Sequence, residues 1–586
     1  MVLGAIDWII IVAFFVFSLA VGLLTSKKAG QSASEFFLSG RTMPWWLLGV
    51  SMVATTFSAD TPNLVTDIVR KNGVSGNWVW WAFLLTGMLT VFTYAKLWRR
   101  SGATTDLEFY ELRYGGKSAA FLRGFRALYL GVFFNVVIMA TVSLAAIKIG
   151  GVMMGLTPVQ TLSIATIVTV AYSSLGGLRS VLITDFFQFI IAMIGSVAAT
   201  IYLLDIPQVG GLSHLLDQPV VSARLSILPD FSDSSTLIPL LLLPLAIQWW
   251  SVWYPGAEPG GGGYIAQRML SAKDEKNAFT ATLLFNITHY ALRPWPWILI
   301  ALASLMVFPD LASLQNAFPD IPLNKINDDL AYPAMLTFLP AGLLGLVIAS
   351  LIAAYMSTIS THLNWGSSYV VHDFYKRFIK PGASDKELVN IGRLSTVLLA
   401  VASALLALLL SNALQAFNIL LQIGAGTGLI FILRWFWWRI NTYTEITGMA
   451  VSFLVAVYFE VIYTGAIAGH WKLLIGVGIT TFSWLMATLL TQPESNEVLV
   501  GFYEKIKPAA LGWQPVLKRN PQLKVEKGQL AMEILFMVIG SFTVYGMLFS
   551  IGYLLYENLY AALISGGVAV AGTIFLLKQW ARLKFL

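Results

Sequence analysis

The stretch WYPGAEPGGGGYIAQRM, residues 253–269, places two prolines, one glutamate and five glycines between apolar segments. Proline removes a helical hydrogen bond, and each glycine costs a helix about 1 kcal/mol relative to alanine, so a continuous helix is not expected here. A polar run, TTFSADTP, similarly interrupts the apolar segment WWLLGVSMVATTFSADTPNLV, residues 45–65. The two stretches predict two broken helices, one near 54–62 and one near 254–263.

The composition places the chain in a membrane. Of its 586 residues, 57% are apolar and 11% are charged, whereas soluble domains have about 45–50% apolar and about 25% charged residues. The first apolar run, residues 6–24, can cross ~30 Å of hydrocarbon; it lacks the basic start and cleavage site of a signal peptide and is expected to be retained. The absence of cysteine excludes disulfides and thiolate chemistry. Fifteen candidate spans begin near residues 6, 45, 77, 122, 157, 181, 236, 279, 335, 389, 415, 442, 472, 531 and 559.

Lysine and arginine define an orientation for these spans. With the N-terminus outside, 30 of the 37 basic residues fall on the inner side, six fall outside, and Arg293 alone lies at membrane depth. This asymmetry follows the positive-inside rule. We therefore expect a multi-pass protein of the plasma membrane, the inner membrane of a bacterium, with a cytoplasmic C-terminus. The excess of basic residues is explained by the orientation of the chain in the lipid bilayer and does not indicate binding to nucleic acid.

Broken helices in a membrane have a restricted meaning. Freed backbone groups are tolerated there only where protein or a cavity satisfies them. The two breaks fall in the second and seventh spans, five spans apart, and paired interruptions at corresponding positions of two repeats point to the binding site of a transporter. The alternative is that 254–263 is a surface loop between two short helices, but 264–271 would then be too short to span a membrane.

Four motifs carry a resemblance to a known family. They are FFLSGRTMPWWLLGVSMVATTFSAD (36–60), GGLRSVLITDFFQF (176–189), YIAQRMLSAKDEKNA (264–278) and AAYMSTISTHLNWGSSYVVHDFYKRF (353–378). In this order they resemble the first, fifth, sixth and eighth core helices of the sodium:solute symporter family. The resemblance implies an all-α polytopic fold of about 14–15 transmembrane helices around a leucine-transporter-like, five-plus-five inverted-repeat core. It also implies sodium-driven alternating access.

The same resemblance divides the chain into four parts. Residues 1–30 are a peripheral helix, 45–204 are the first core repeat and 236–436 are the second. Residues 442–586 are peripheral helices with a cytoplasmic loop at 492–530.

A main sodium site is implied on the first and eighth core helices. The resemblance assigns to it the carbonyls of Ala54, Phe57 and Ala354 and the hydroxyls of Ser357 and Thr358. Sodium is a hard cation that oxygens bind, and a broken helix releases carbonyl oxygens. Only the two hydroxyl residues are informative by identity, and such a pair otherwise bonds back to its own backbone.

A second sodium site is implied for part of the family, and this chain offers for it Asp185, Ser357, Ser360 and Thr361. At ~100° per residue, the three hydroxyls share about one third of the helix circumference. An intramembrane carboxylate is costly unless paired. Asp185 is alternatively a structural partner of Arg179 or Arg268, or a proton-carrying acid. We therefore expect one sodium ion or two.

One position departs from the pattern near the first break. Some family members carry an acid or asparagine where this chain has Thr56. Asp60, four residues later, either compensates across one helical turn or caps the second half-helix. This departure concerns the affinity for the ion.

The positions that match the solute pocket of sugar-carrying relatives are Thr61, Trp80, Gly262, a site within His289 to Arg293, and Gln422. Only Gln422 keeps a sugar-type amide. Trp80 replaces an acid, and the glycine run, with an insertion that contains Glu258, replaces an amide-bearing stretch. The chain is therefore not expected to be a close copy of the known sugar carriers.

Arg293 has two interpretations. A buried arginine should face a cavity or an acid. Its guanidinium either holds a substrate carboxylate by two parallel hydrogen bonds or pairs with Glu258 or Asp60 as a structural bridge. Tryptophans such as Trp80 and Trp81 either stack on a sugar face or lie at the membrane interface.

The sequence thus predicts a sodium-coupled symporter, working as a monomer, for a small polar organic solute: a sugar, a sugar derivative or an organic acid. A proton-coupled carrier of the same fold is the alternative. A membrane enzyme is disfavoured, because His289 and His362 lack partners at metal-ligand or nucleophile spacing. A sensor or channel is disfavoured because neither a soluble signalling domain nor a repeated pore loop is evident.

Overall fold

The computed structural model describes residues 3–56, 58–251, 258–319, 321, 326–410, 424, 426–525 and 530–583. These residues form helices and no strand, apart from one isolated bridge between Met43 and Ala272. The principal helices are α1 (Ala5–Ala29), α2 (Trp45–Thr55), α3 (Thr61–Asn72), α4 (Val74–Ser101), α5 (Gly116–Gly151), α6 (Pro158–Leu204), α7 (Ser234–Ala246), α8 (Gly263–Ser271), α9 (Glu275–Val307), α10 (Leu343–Ile379), α11 (Asp385–Leu409), α12 (Gly428–Phe436), α13 (Thr442–Val457), α14 (Gly469–Leu490), α15 (Leu530–Leu555) and α16 (Leu559–Lys578).

Ten helices of the described residues are long and apolar enough to cross a membrane. The difference from fifteen candidates has physical causes. The candidates near 157 and 181 lie in one element, α6, where Gly177 has a φ of 55° and separates two helical stretches. The candidate near 415 falls in 411–423, outside the described residues. Helices α2 and α7, which precede the two interruptions, and α13, with 16 residues, are too short to be counted as spans.

The first interruption separates α2 from α3. Helix α2 ends at Thr55 and α3 begins at Thr61, with Pro62 in its first turn, where a missing N–H is tolerated. Asp60 occupies the residue before α3, but its side chain makes no capping hydrogen bond. The backbone N–H of Ser58 instead donates to Oγ1 of Thr61, at 3.1 Å. The proposed capping role of Asp60 is therefore wrong.

The second interruption precedes α8. Helix α7 ends at Ala246, a 3-10 turn follows at Gln248–Trp250, and α8 begins at Gly263; residues 252–257 lie outside the described residues. Gly260 and Gly261 have φ values of 89° and 82°, which residues with a side chain rarely adopt. A Cβ on Gly260 would also lie 2.9 Å from the ring of Tyr94. The glycine run thus permits a tight, buried chain path.

The packing of the long helices brings the first interruption to the centre. Helix α6 packs against α1 and α10, while α2 lies against both α6 and α9. The later helices form two pairs, α13 with α14 and α15 with α16. The stretch expected to be a cytoplasmic loop, 492–530, contains helices at Asn496–Ile506 and Gln514–Arg519. The central position of α2 sets its carboxyl end beside α6 and α10.

Candidate functional site

The carboxyl end of α2 meets the hydroxyl face of α10. Oγ1 of Thr358 donates to the carbonyl of Thr55 at 3.2 Å, and the hydroxyls of Thr55 and Thr361 lie 3.0 Å apart. Four of the five residues predicted for the main sodium site are no more than 3% exposed, namely Ala54, Ala354, Ser357 and Thr358. The fifth, Phe57, lies outside the described residues. The structure therefore joins the two helices from which the predicted ligands come.

Asp185 lies on α6, fully buried beside this junction. Its two carboxylate oxygens have different partners: Oδ1 accepts from Oγ of Ser357 at 2.7 Å, and Oδ2 accepts from Oγ of Ser51 at 2.5 Å. Nη2 of Arg268 is 3.6 Å from Oδ2. Of the two arginines considered as partners, the structure pairs Arg268 with Asp185. The carboxylate thus connects α2, α6, α8 and α10.

The hydroxyls predicted around Asp185 do not all face it. Oγ of Ser360 donates to the carbonyl of Ser357 at 3.1 Å, which is a bond within its own helix. Oγ1 of Thr361 accepts from Nη2 of Arg268 at 2.7 Å. Only Ser357 of the three α10 hydroxyls contacts the carboxylate directly.

Arg268 makes more contacts at this junction than the sequence suggested, which offered it only as a possible partner of Asp185. Its guanidinium is fully buried on α8 and also donates through Nε to Ser51 at 3.2 Å. The adjacent Gln267 donates to Oδ1 of Asn364, on α10, at 2.9 Å. The sequence signal was the Gln-Arg pair at 267–268, which is part of the resemblance of 264–278 to the sixth core helix; the contacts with α2 and α10 come from the structure.

Arg293 lies against the carboxyl end of α2. Nη1 donates to the carbonyl of Val53 at 3.2 Å, and Nη2 donates to the carbonyl of Thr56 at 3.5 Å. A cation near the last carbonyls of a helix is stabilised by the helix dipole. The predicted bridge to Glu258 is wrong, because that carboxylate pairs with Arg126 and Arg434.

Asp60, the other acid suggested for Arg293, forms no ion pair among the residues that the structure describes.

The residues predicted for the solute pocket are partly brought together. The ring of Trp80 lies 5.8 Å from the ring of His289 and stacks at 6.0 Å on Tyr290. Thr61 lies at the first interruption, and Gly262 lies directly before α8. Gln422 is outside the described residues. Tyr290 lies within the range His289 to Arg293 that the sequence predicted for the pocket, but it was not named there individually. The indole N–H of Trp80 donates within α4, to Asn77 at 2.8 Å.

The sequence that forms this site matches a known family over more than half of the chain. Residues 36–452 match the model of the sodium:solute symporter family. The chain belongs to this family. Membership establishes sodium-coupled symport of a small organic solute and not an enzymatic activity.

Individual proteins are similar to this chain over most of its length. The chain is 26% identical over 476 residues to a sodium/glucose cotransporter of Vibrio parahaemolyticus, and the alignment covers 78% of this chain and 86% of that relative. This chain is also 27% identical over 488 residues to sodium/myo-inositol cotransporter 2 of Mus musculus; the alignment covers 77% of this chain and 69% of that relative. A solved structure of a Na⁺-coupled sialic acid symporter superimposes with a TM-score of 0.67 at 22% identity, covering 84% of this chain and 99% of that chain. The fold is therefore the five-plus-five inverted-repeat transporter fold.

Proposed function

We propose that sodium binds between α2 and α10 and drives uptake of a small polyhydroxylated solute, a sugar or sugar derivative. The observation that carries the sodium site is the bond from Thr358 to the carbonyl of Thr55. It joins a hydroxyl of α10 to the end of α2, where the interruption frees carbonyl oxygens. Rotation of that hydroxyl would present its oxygen to a cation. The ligands are Ala54, Phe57, Ala354, Ser357 and Thr358.

A second sodium ion is proposed on the Oδ1 side of Asp185, with Ser357, Ser360 and Thr361. Arg268 and Ser51 both contact Oδ2 of Asp185, so Oδ1 is the oxygen proposed to bind the ion. Oxygen ligands that include a carboxylate suit a hard cation. Ser360 and Thr361 would have to exchange their present partners for the ion. The competing assignment is that Arg268 is the permanent cation at Asp185 and only one sodium ion is transported.

The solute proposal rests on relatives and on aromatic residues. Sodium/glucose and sodium/myo-inositol cotransporters are similar to this chain over more than three quarters of its length. Trp80, Tyr290 and His289 form a cluster whose ring faces suit the apolar face of a sugar. Thr61, Gly262 and Gln422 are proposed to complete the pocket. An organic acid held by Arg293 is the second candidate, since that guanidinium lies at the first interruption.

The remaining expectations about the whole chain are proposed together. The repeats are 45–204 and 236–436, so that the interrupted helices α2–α3 and α7–α8 begin each repeat. Residues 1–30 and 442–586 are peripheral. The N-terminus is outside, the C-terminus is cytoplasmic, the membrane is the bacterial inner membrane, and the monomer is the working unit.

A thermal-shift panel on purified protein tests the solute class. Neutral sugars, polyols, sugar acids and simple carboxylates are each added in sodium chloride and in choline chloride of equal ionic strength. We expect a neutral polyhydroxylated compound to raise the melting temperature in sodium chloride only. Stabilisation by carboxylates alone would replace the sugar proposal with the organic-acid candidate. Equal stabilisation in choline chloride would remove the sodium dependence.

A further inference from the structure

A buried cluster of four charged side chains lies at the second interruption. Glu258 pairs through Oε1 with Nη2 of Arg126 at 2.6 Å and through Oε2 with Nη2 of Arg434 at 3.2 Å. Glu445 lies 3.8 Å from Arg126 and 3.5 Å from Arg434. All four side chains are at most 5% exposed. The cluster therefore links the residues before α8 to α5, α12 and α13.

Aromatic rings enclose the two arginines of the cluster. The guanidinium of Arg126 lies 5.0 Å from the ring centre of Phe431, and that of Arg434 lies 4.6 Å from the same ring. The hydroxyl of Tyr110 accepts from Nη1 of Arg434 at 2.9 Å. Such surroundings exclude water, and an ion pair removed from water is strongly destabilised when one partner is lost.

Two further side chains, those of Asp106 and Trp98, bond the backbone of the same interruption. Oδ2 of Asp106 accepts from the N–H of Gly263, the first residue of α8, at 2.8 Å, and Oδ1 accepts from the hydroxyl of Tyr369 at 2.6 Å. The indole of Trp98 donates to the carbonyl of Gly260 at 2.8 Å. The segment from 258 to 263 is thus bonded to four different parts of the chain. The four partner residues lie in the stretches 96–126 and 434–439, whose basic residues predict the cytoplasmic side.

We propose that Glu258 is a latch that keeps the cytoplasmic side of the solute site closed, through its ion pairs with Arg126 and Arg434. Alternating access requires the segments around a central site to separate on one side at a time. Separation of the second interruption from α5 and α12 breaks both ion pairs of Glu258.

The cluster is arranged so that this release is reversible. When Glu258 leaves, its carboxylate enters the water of the opening pathway. Arg126 and Arg434 remain beside Glu445, which the hydroxyl of Tyr114 also contacts at 2.8 Å. The buried arginines therefore keep one anion between them in the open state. Closure restores the second anion and expels the water.

Cysteine labelling tests the latch, because the chain contains no cysteine of its own. Ser58→Cys places a reporter in the first interruption at a residue that is 7% exposed. A membrane-impermeant maleimide is added to the cytoplasmic side of inside-out vesicles, and the initial labelling rate is measured. Glu258→Gln and the matched control Glu445→Gln are each combined with the reporter, since both remove one negative charge from the same cluster.

We expect Glu258→Gln to raise the labelling rate at least about fivefold and Glu445→Gln to raise it less than about twofold. An unchanged rate in Glu258→Gln, or an equal increase in both variants, overturns the proposal. Glu258→Asp serves if the glutamine variant does not fold. It keeps the charge but withdraws the carboxylate from both arginines, so a smaller increase is expected and an unchanged rate again overturns the latch.

Discussion

Replacing Thr358 by valine removes one oxygen from the proposed main sodium site and keeps the shape of the side chain. Oγ1 of Thr358 contacts the carbonyl of Thr55 at 3.2 Å, beside the carbonyls proposed to bind the ion. If the oxygen binds sodium, its loss should weaken sodium binding and leave the fold largely intact. A residue that only joins two helices would affect stability and not the response to sodium.

The expected size of the effect follows from the charge of the ion. A polar contact to a charged group contributes about 1.5–3 kcal/mol, whereas a neutral hydrogen bond contributes about 0.5–1.5 kcal/mol. Because each 1.4 kcal/mol corresponds to a factor of about ten, the sodium dissociation constant should rise about 10- to 100-fold. At a sodium concentration 100 times the wild-type dissociation constant, the ion stabilises the fold by ~2.7 kcal/mol. A tenfold weaker site would retain ~1.4 kcal/mol and a hundredfold weaker site ~0.4 kcal/mol.

Sodium titration of thermal unfolding measures this effect without a known solute. Choline chloride keeps the ionic strength constant. Thr358→Ser retains the oxygen and should titrate nearly as the wild type. The control Thr396→Val removes a buried hydroxyl of α11 that donates to the carbonyl of Gly392 at 2.9 Å. This control should leave the midpoint of the sodium titration unchanged. A sodium midpoint for Thr358→Val within about twofold of wild type would refute the assignment.

Two further substitutions separate the alternatives that remain. Asp185→Asn should lower the number of radioactive sodium ions bound per protein from two to one, because the ligand carboxylate of the second site is lost; an unchanged number would assign Asp185 to Arg268 alone. Arg293→Gln should lower stability by about 1.5–3 kcal/mol, since two carbonyls at the end of α2 lose a charged donor. The result that would support substrate recognition instead is a selective loss of stabilisation by carboxylate solutes, with neutral solutes unaffected.

The membrane helices and the two interruptions were accessible to sequence reasoning because their causes are local. Chain length and hydropathy determine whether a helix can span, and the run from Pro259 to Gly263 cannot form a regular helix. The helical period also predicted that Ser357, Ser360 and Thr361 share a side of α10, but it could not show that only Ser357 of these three contacts Asp185. The apolar runs on the two sides of Gly177 predicted two spans, and the structure has two helical stretches that meet at this residue, where φ is 55°.

The ion-pair partners of the buried charged residues could not be predicted from the sequence in this way. The sequence interpretation offered Glu258 or Asp60 as an acidic partner of Arg293, but the partners of Glu258 come from α5 and α12. Arg126 and Arg434 are separated by more than 300 residues in the chain, and both were counted only as cytoplasmic basic residues. Such pairings depend on how helices pack around the interruption. Counting lysines and arginines predicts on which side of the membrane a basic residue lies, but it does not predict which acid the residue pairs with.

Helix α8 relates the proposed sodium junction to the proposed latch. It has only nine residues, begins at Gly263 beside the latch, and carries Arg268 in its last turn. Nη2 of Arg268 donates to Thr361 at 2.7 Å and approaches Oγ1 of Thr55 at 3.5 Å, so the far end of α8 touches both helices of the sodium junction. A helix this short moves as one unit. A displacement that releases Glu258 therefore alters the contacts of Arg268 as well, and an ion that fixes α2 against α10 opposes that displacement. We therefore expect the same position of α8 to favour both sodium binding and closure of the cytoplasmic side.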